Sequence, residues 1–176
     1  MKTNTTRFSD RVDDYIKYRP AYPPEIINIL EDKIGLDAKD IIADIGAGTG
    51  ISTQLFLNNG NRVFAIEPNK EMREASMLRF SKNKNFISIN GTAEKSTLQD
   101  QCIDIIFSAQ AFHWFDKHVA KIEFNRILKP AGHIVLVWNV RNEEDDFQKA
   151  YAKILKRIDD YNKVTHRNIS EAEIVD

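Results

Sequence analysis

Five short apolar runs alternate with stretches of helical spacing along most of this chain. The runs are DIIADIG (40–46), RVFAIEP (62–68), NFISINGTAE (85–94), CIDIIFSAQAFHWF (102–115) and HIVLVWNV (133–140). Between them lie the helical intervals ISTQLFLNNG, NKEMREASMLRFSK and KHVAKIEFNRILKPAG, the last ending in Pro130 and Gly132. Strands that are apolar on both faces predict a parallel sheet covered on both sides by helices. Right-handed crossovers make it an open, doubly wound α/β fold.

Further helices are expected outside this array. PEIINILEDKIG has Pro24 in its first turn, an apolar face of Ile26, Ile27, Leu30 and Ile34, and Gly35 at its end. Upstream, Phe8, Val12, Tyr15 and Ile16 fall near helical spacing, and RPAYPP stops that segment. EDDFQKAYAKILKRIDDYNK reads as a last helix before the polar tail HRNISEAEIVD.

The totals exclude several classes of function. The 176 residues suffice for one domain with a full core. Lys and Arg (25) nearly balance Asp and Glu (26), so no global basic field draws the chain to nucleic acid or anionic lipid. A single cysteine, Cys102, builds neither an intramolecular disulfide nor a cysteine-based metal site. No metal is expected. The N-terminus lacks the apolar core of a signal peptide, and no run approaches a membrane-spanning helix. The cytoplasm is the expected location, with no membrane partner.

The chemistry concentrates at DIGAGTG, the carboxyl end of the first strand, where open α/β sheets bind ligands. Gly46, Gly48 and Gly50 carry no Cβ, so backbone there turns tightly and can approach a ligand. The next helix is expected to point its N-terminal amides at that ligand. The dinucleotide fingerprint is G-x-G-x-x-G, whereas this turn is G-x-G-x-G with Ile51 in the third glycine's place. A P-loop needs a lysine that GTGIST lacks. About twenty residues on, Glu67 ends the second strand, where a carboxylate accepts from both ribose hydroxyls and repels a 2′-phosphate. Turn and acid together read as a site for an adenosyl group; the bland alternative is a tight turn and a surface glutamate.

IADIGAGTG, AIEPNKEM, INGTAE and DIIFSAQAFHWF, in this order, resemble the successive motifs of class I S-adenosylmethionine-dependent methyltransferases. The resemblance spans roughly residues 8 to 140. FSDRVDDYIKYRPAYP and AQAFHWFD resemble the small-molecule branch that includes trans-aconitate methyltransferases. The fold implied is Rossmann-like, a mostly parallel sheet with helices on both faces. The cofactor implied is S-adenosylmethionine, with S-adenosylhomocysteine as product. By this resemblance Asp44 lies near the methionine part of the cofactor, and Gly46, Ala47, Gly48 and Gly50 form the turn beneath it. Glu67 is the ribose-binding acid, Pro68 continues toward the adenine, and Met72 adds an apolar contact. Thr92, Ala93 and Glu94 face the adenine edge, while Ser108, Ala109 and Gln110 lie under the methionine. Tyr18 and Arg19 belong to the N-terminal cover. A carboxylate beside a sulfonium is sound electrostatics, and the activated methyl leaves the protein mainly to align an acceptor and exclude water.

His113 and Trp114 are the catalytic candidates. His113 would serve as general base or hydrogen-bond partner and Trp114 as a pocket wall; the alternative role for both is packing of the loop. A carboxylate acceptor is already ionised at neutral pH and needs no base.

The implied domain plan is a cover segment with first helix over 1–36 and a cofactor-binding core over 37–176, one domain overall. The family's sheet runs 3-2-1-4-5-7-6, and only five strands are countable here, so the sheet is expected to stop before the sixth and seventh. HIVLVWNV is then an open edge, and the chain a monomer or a dimer through that edge. The expected activity is methyl transfer to a small-molecule acceptor, a carboxylate being the candidate. The alternative is a shortened S-adenosylmethionine-binding protein with little or no turnover.

Overall fold

The computed structural model describes residues 18–139, 145–155 and 157. The helix expected around residues 8–16 and the polar tail lie outside these. The chain divides into two compact units, Met1–Val137 and Trp138–Asp176. In the first, α1 (Glu25–Ile34) leads to β1 (Ile41–Ile45), α2 (Thr53–Asn58), β2 (Arg62–Ile66), α3 (Lys70–Arg79), β3 (Phe86–Ile89), β4 (Ile103–Ala109), α4 (Lys117–Ile127) and β5 (Leu128–Val137). In the second, α5 spans Asp146–Leu155, with the Phe147 and Tyr151 rings stacked one turn apart.

The five strands form one sheet in the order β3-β2-β1-β4-β5, every pairing parallel. The expected architecture is therefore observed. Alternate residues of the strands enter two separate cores. Ile42, Val63, Ile105 and Phe107 join Leu30, Leu55, Phe56 and Phe80 on one face. Ala43, Ile45, Ile66, Ile103 and Ile106 join Ala120, Phe124 and Ile127 of α4 on the other. Both faces of the central strands are dry, which is why their sequences are apolar at successive positions. Phe56 and Phe107, both fully buried, meet edge to face at 4.8 Å.

Two boundaries differ most from expectation. The helix expected to run through to Gly132 ends at Ile127, and β5 begins at Leu128. Tertiary pairing overrides the local pattern here. Leu128 pairs with Ile103 and His133 with Ile105, so Lys129–Gly132 bulge outward. The bulge holds Pro130, which donates no amide, and Lys129 Nζ reaches both Asp104 oxygens at 2.8 and 3.0 Å. Strand β3 stops at Ile89 rather than near residue 94. Beyond it Thr92 and Lys95 pair with each other and turn the chain back. Among the described residues β3 and β5 are the sheet's two edges, and Ile134 of β5 is 46% exposed.

The connector from β3 to β4 is pinned by Glu123 of α4. Its Oε1 accepts from the Ser96 amide at 2.8 Å and the Ser96 hydroxyl at 2.6 Å. Arg126 donates to both its oxygens, at 2.8 and 2.7 Å, and to the Leu98 carbonyl. The Arg126 hydrogen bonds pull the Glu123 carboxyl down to about 2, against the opposing effect of burial. A depressed carboxyl stabilises the fold above its unfolded pKa, and that stability is lost as pH falls toward about 2. Glu123→Gln is expected to cost about 2 kcal/mol at neutral pH. It should also flatten the acid limb of stability in urea titrations below about pH 4.5; an unchanged acid limb would refute the assignment.

Candidate functional site

The site forms where β1 ends, at the reversal of strand order between β1 and β4, the place where open α/β sheets admit ligands. Gly46 and Gly50 adopt φ of 74° and 82°, a region that L side chains rarely enter. Protein rather than ligand occupies the space their side chains would need. A Cβ on Gly46 would lie 2.6 Å from the Ala111 Cβ, and one on Gly50 would lie 2.4 Å from the Phe80 ring. Gly48 differs, with only Met72 Sδ in ordinary contact at 3.7 Å. The bareness expected to admit a ligand is thus, at two of three glycines, required for packing against the loop after β4 and the end of α3.

The turn's amides are engaged internally. Gly46 and Ala47 donate to the Ile66 carbonyl at 2.9 and 3.1 Å, and Gly50 donates to the Ala47 carbonyl at 2.9 Å. Gly48 donates to Glu67 Oε2 at 2.8 Å. These four amides are not arranged to cradle a phosphate. Helix α2, which follows the turn, is short, with six residues from Thr53 to Asn58.

Asp44 is fully buried. Its Oδ2 accepts from the hydroxyls of Ser52, at 2.7 Å, and Thr53, at 2.6 Å. Its Oδ1 has no hydrogen-bond partner among the described residues. The bonds to residues 52 and 53 close the chain across the glycine turn. Burial pushes the carboxyl up to about 6, and the Thr53 and Ser52 bonds oppose the push.

Glu67 is also buried, one residue beyond β2. Its Oε1 accepts from the Asn69 amide at 2.8 Å while Oε2 holds Gly48, so the acid and the turn expected to cooperate are in contact. Burial pushes its carboxyl up, and the two amides oppose this. Pro68 and Glu67 lend their carbonyls to Arg73 at 3.2 and 2.9 Å. Asn69 caps α3 by accepting from the Met72 amide at 2.9 Å, which sets Met72 against Gly48.

The remaining expected residues fall into three groups. In the β3 loop, Thr92 turns back on Lys95, Ala93 is buried, and Glu94 Oε1 accepts from the Asp116 amide at 2.8 Å, tying this loop to the start of α4. At the end of β4, the Ser108 hydroxyl donates to the Ile45 carbonyl at 3.0 Å, so its visible work is to bind β4 to β1. Ala109 closes the strand, and Gln110 follows at φ 57° with its amide on the Val137 carbonyl and its Nε2 buried without a partner. His113 and Trp114 form a 3-10 turn with Phe112, their rings 4.8 Å apart and half-buried. Ala111 and Phe115, which flank that turn, both contact the space beside Gly46. Tyr18 and Arg19 are exposed.

Three residues without a place in the sequence reading enter the site: Ser52, Thr53 and Thr49, the last 1% exposed with an unpartnered hydroxyl. The run of hydroxyls around Gly50 was visible, but not that two of them turn back to Asp44. Among the described residues no group of three His, Cys, Asp or Glu side chains could hold a metal, and no helix is long and apolar enough to cross a membrane.

The sequence profile of the methyltransferase domain family matches residues 43–136, from β1 to the end of β5. The chain belongs to this family of methyltransferases. It is 34% identical over 151 residues to an uncharacterized methyltransferase-like protein of Schizosaccharomyces pombe, covering 85% of this chain and 58% of that one. It is 36% identical over 150 residues to an uncharacterized methyltransferase of Mycobacterium bovis, covering 85% and 59%. The methyltransferase chain thus spans about three-fifths of the length of the curated relatives it matches. A candidate S-adenosyl-L-methionine-dependent methyltransferase of Methanococcus maripaludis superposes with a TM-score of 0.74 at 22% identity, over 99% of this chain and 83% of that one. That likeness concerns the fold, which is Rossmann-like class I, the fold of methyltransferases whose cofactor is S-adenosylmethionine.

The residues present suit that cofactor. The turn offers two buried carboxylates and no lysine, and one carboxylate oxygen has no donor among the described residues. A cationic, phosphate-free nucleoside meets this donor set, whereas a pyrophosphate would meet negative charge and occupied amides.

Proposed function

We propose that this chain is an S-adenosylmethionine-dependent methyltransferase core that serves a small-molecule acceptor, with a carboxylate as the candidate acceptor group. The observation that carries the reading is Glu67, whose two oxygens are fixed by Gly48 and Asn69 at the lip of a turn whose amides at residues 46, 47, 48 and 50 donate within the protein. In this reading Glu67 holds the ribose hydroxyls, Asp44 faces the cationic end, and Met72, Pro68, Thr92, Ala93 and Glu94 surround the base. Ser108, Ala109 and Gln110 floor the methionine side, with Tyr18 and Arg19 at the entrance. The cofactor supplies a methyl already activated by the sulfonium. The protein's part is to orient the acceptor and keep water out. His113 and Trp114, on the turn that leans against Gly46, are proposed to line the acceptor side. The near balance of charges supports a small acceptor over a polyanion.

Incubation with methyl-tritiated S-adenosylmethionine and a metabolite extract tests the proposal. Label is expected in the acid-soluble small-molecule fraction. Cofactor binding with no transfer to any fraction would replace this reading by one of binding without turnover. Label confined to nucleic acid or protein would overturn the acceptor class.

A further inference from the structure

We propose that Ser52 and Thr53 are positioning residues whose hydroxyls hold Asp44 as a carboxylate beneath the glycine turn, so that the site prefers cationic S-adenosylmethionine to its neutral product S-adenosylhomocysteine. The inference rests on the cofactor reading above and adds to it what sets the sign and strength of the charge at the turn.

The geometry makes the argument. A fully buried aspartate would ordinarily take up a proton, since an isolated charge in a dry interior is costly. Two hydroxyls at 2.7 and 2.6 Å both donate to Oδ2, and a hydroxyl that donates to a carboxylate favours its charged form. Oδ1 has no donor among the described residues. Ala65 and Phe107, the register neighbours of Asp44 on β2 and β4, carry no charge. The nearby Glu67 feels the Asp44 charge, which pushes its carboxyl up, and Arg73 of α3, which pulls it down. On the segment packed over Gly46 the titratable group is His113. Burial pushes the Asp44 carboxyl up to about 6, and its bonds to the Thr53 and Ser52 side chains and to the Thr53 amide oppose that push.

Substrate and product differ by one positive charge at sulfur. A buried anion therefore distinguishes them, and a protonated Asp44 does not. Such a bias favours loading with substrate and release of product at neutral pH.

The test is the ratio of Kd for S-adenosylhomocysteine to Kd for S-adenosylmethionine, by calorimetry on the full chain between about pH 5 and pH 8. In the unaltered protein the ratio is expected to fall about tenfold as pH drops through the Asp44 transition near 6. Asp44→Asn should show the low ratio at every pH. Ser52→Ala with Thr53→Val should move the transition up by about one pH unit, while Thr53→Ser, which keeps the hydroxyl, should leave it in place. In a His113→Asn background the transition should persist. A flat ratio in the unaltered protein, or an Asp44→Asn variant that keeps its transition, overturns the clamp even if the double variant fails to fold. A transition that stays put in a folded double variant also overturns it. Binding of neither ligand at any pH would sink the cofactor reading together with the clamp, whereas a flat ratio with tight binding sinks the clamp alone.

Discussion

Glu67→Ala should weaken S-adenosylmethionine binding about 100-fold, the loss expected when charge-assisted hydrogen bonds to a ligand disappear and their site opens to water. The effect has two sources in this structure. The ribose would lose its carboxylate, and the Gly48 and Asn69 amides would lose the acceptor that now aligns the turn with the start of α3. Glu67→Gln separates the two. A carboxamide keeps one acceptor oxygen but turns an NH2 toward an amide that also donates, so an intermediate loss of about tenfold is expected. Calorimetric titration of the three proteins checks the order. Affinities for Glu67→Ala within about threefold of the unaltered protein would remove Glu67 from the site.

Gly46→Ala and Gly50→Ala should each destabilise the fold by about 3 kcal/mol, a left-handed backbone penalty compounded by overpacking. Each added methyl meets a neighbour that has little room to yield. At Gly46 it meets Ala111, itself held at the start of the 3-10 turn, and at Gly50 it meets the ring of Phe80, which is 6% exposed. For a chain of this length that loss corresponds to a fall in Tm of about 10 °C. Gly48→Ala should cost about 1 kcal/mol, since its methyl meets only Met72 at ordinary distance and the remaining penalty is the backbone's. Thermal denaturation of the three single variants reads the order directly. Equal losses at all three positions would show that backbone conformation, and not contact with Ala111 and Phe80, decides the effect.

The two halves of the site were not equally legible. The Gly46–Gly50 turn and Glu67 could be paired from spacing, because a strand end, a glycine turn and an acid at the next strand end are adjacent in any parallel βαβ unit. The 2.8 Å contact between Glu67 and Gly48 is the outcome. The work of Ser108 was not legible. A serine at a strand end under a ligand and a serine that donates to the neighbouring strand's carbonyl look alike in sequence, and only the β1–β4 pairing separates them. The start of β5 was misplaced for a similar reason. ILKPAG continues a helical pattern locally, yet Leu128 is drawn to Ile103 across the sheet.

The sequence by itself determined the class of fold, the strand-by-strand order of motifs and the absence of a phosphate loop. These follow from which residues can lie in a dry strand and which turn has no lysine, both local properties. Tertiary structure alone decided why the turn is bare and what holds its charge. Gly46 and Gly50 answer to Ala111 and Phe80, residues more than twenty positions away, and Asp44 answers to hydroxyls beyond the turn. Contacts of that kind depend on how the β4 loop and the end of α3 come to rest on the sheet, and no periodicity along the chain encodes a distance across it.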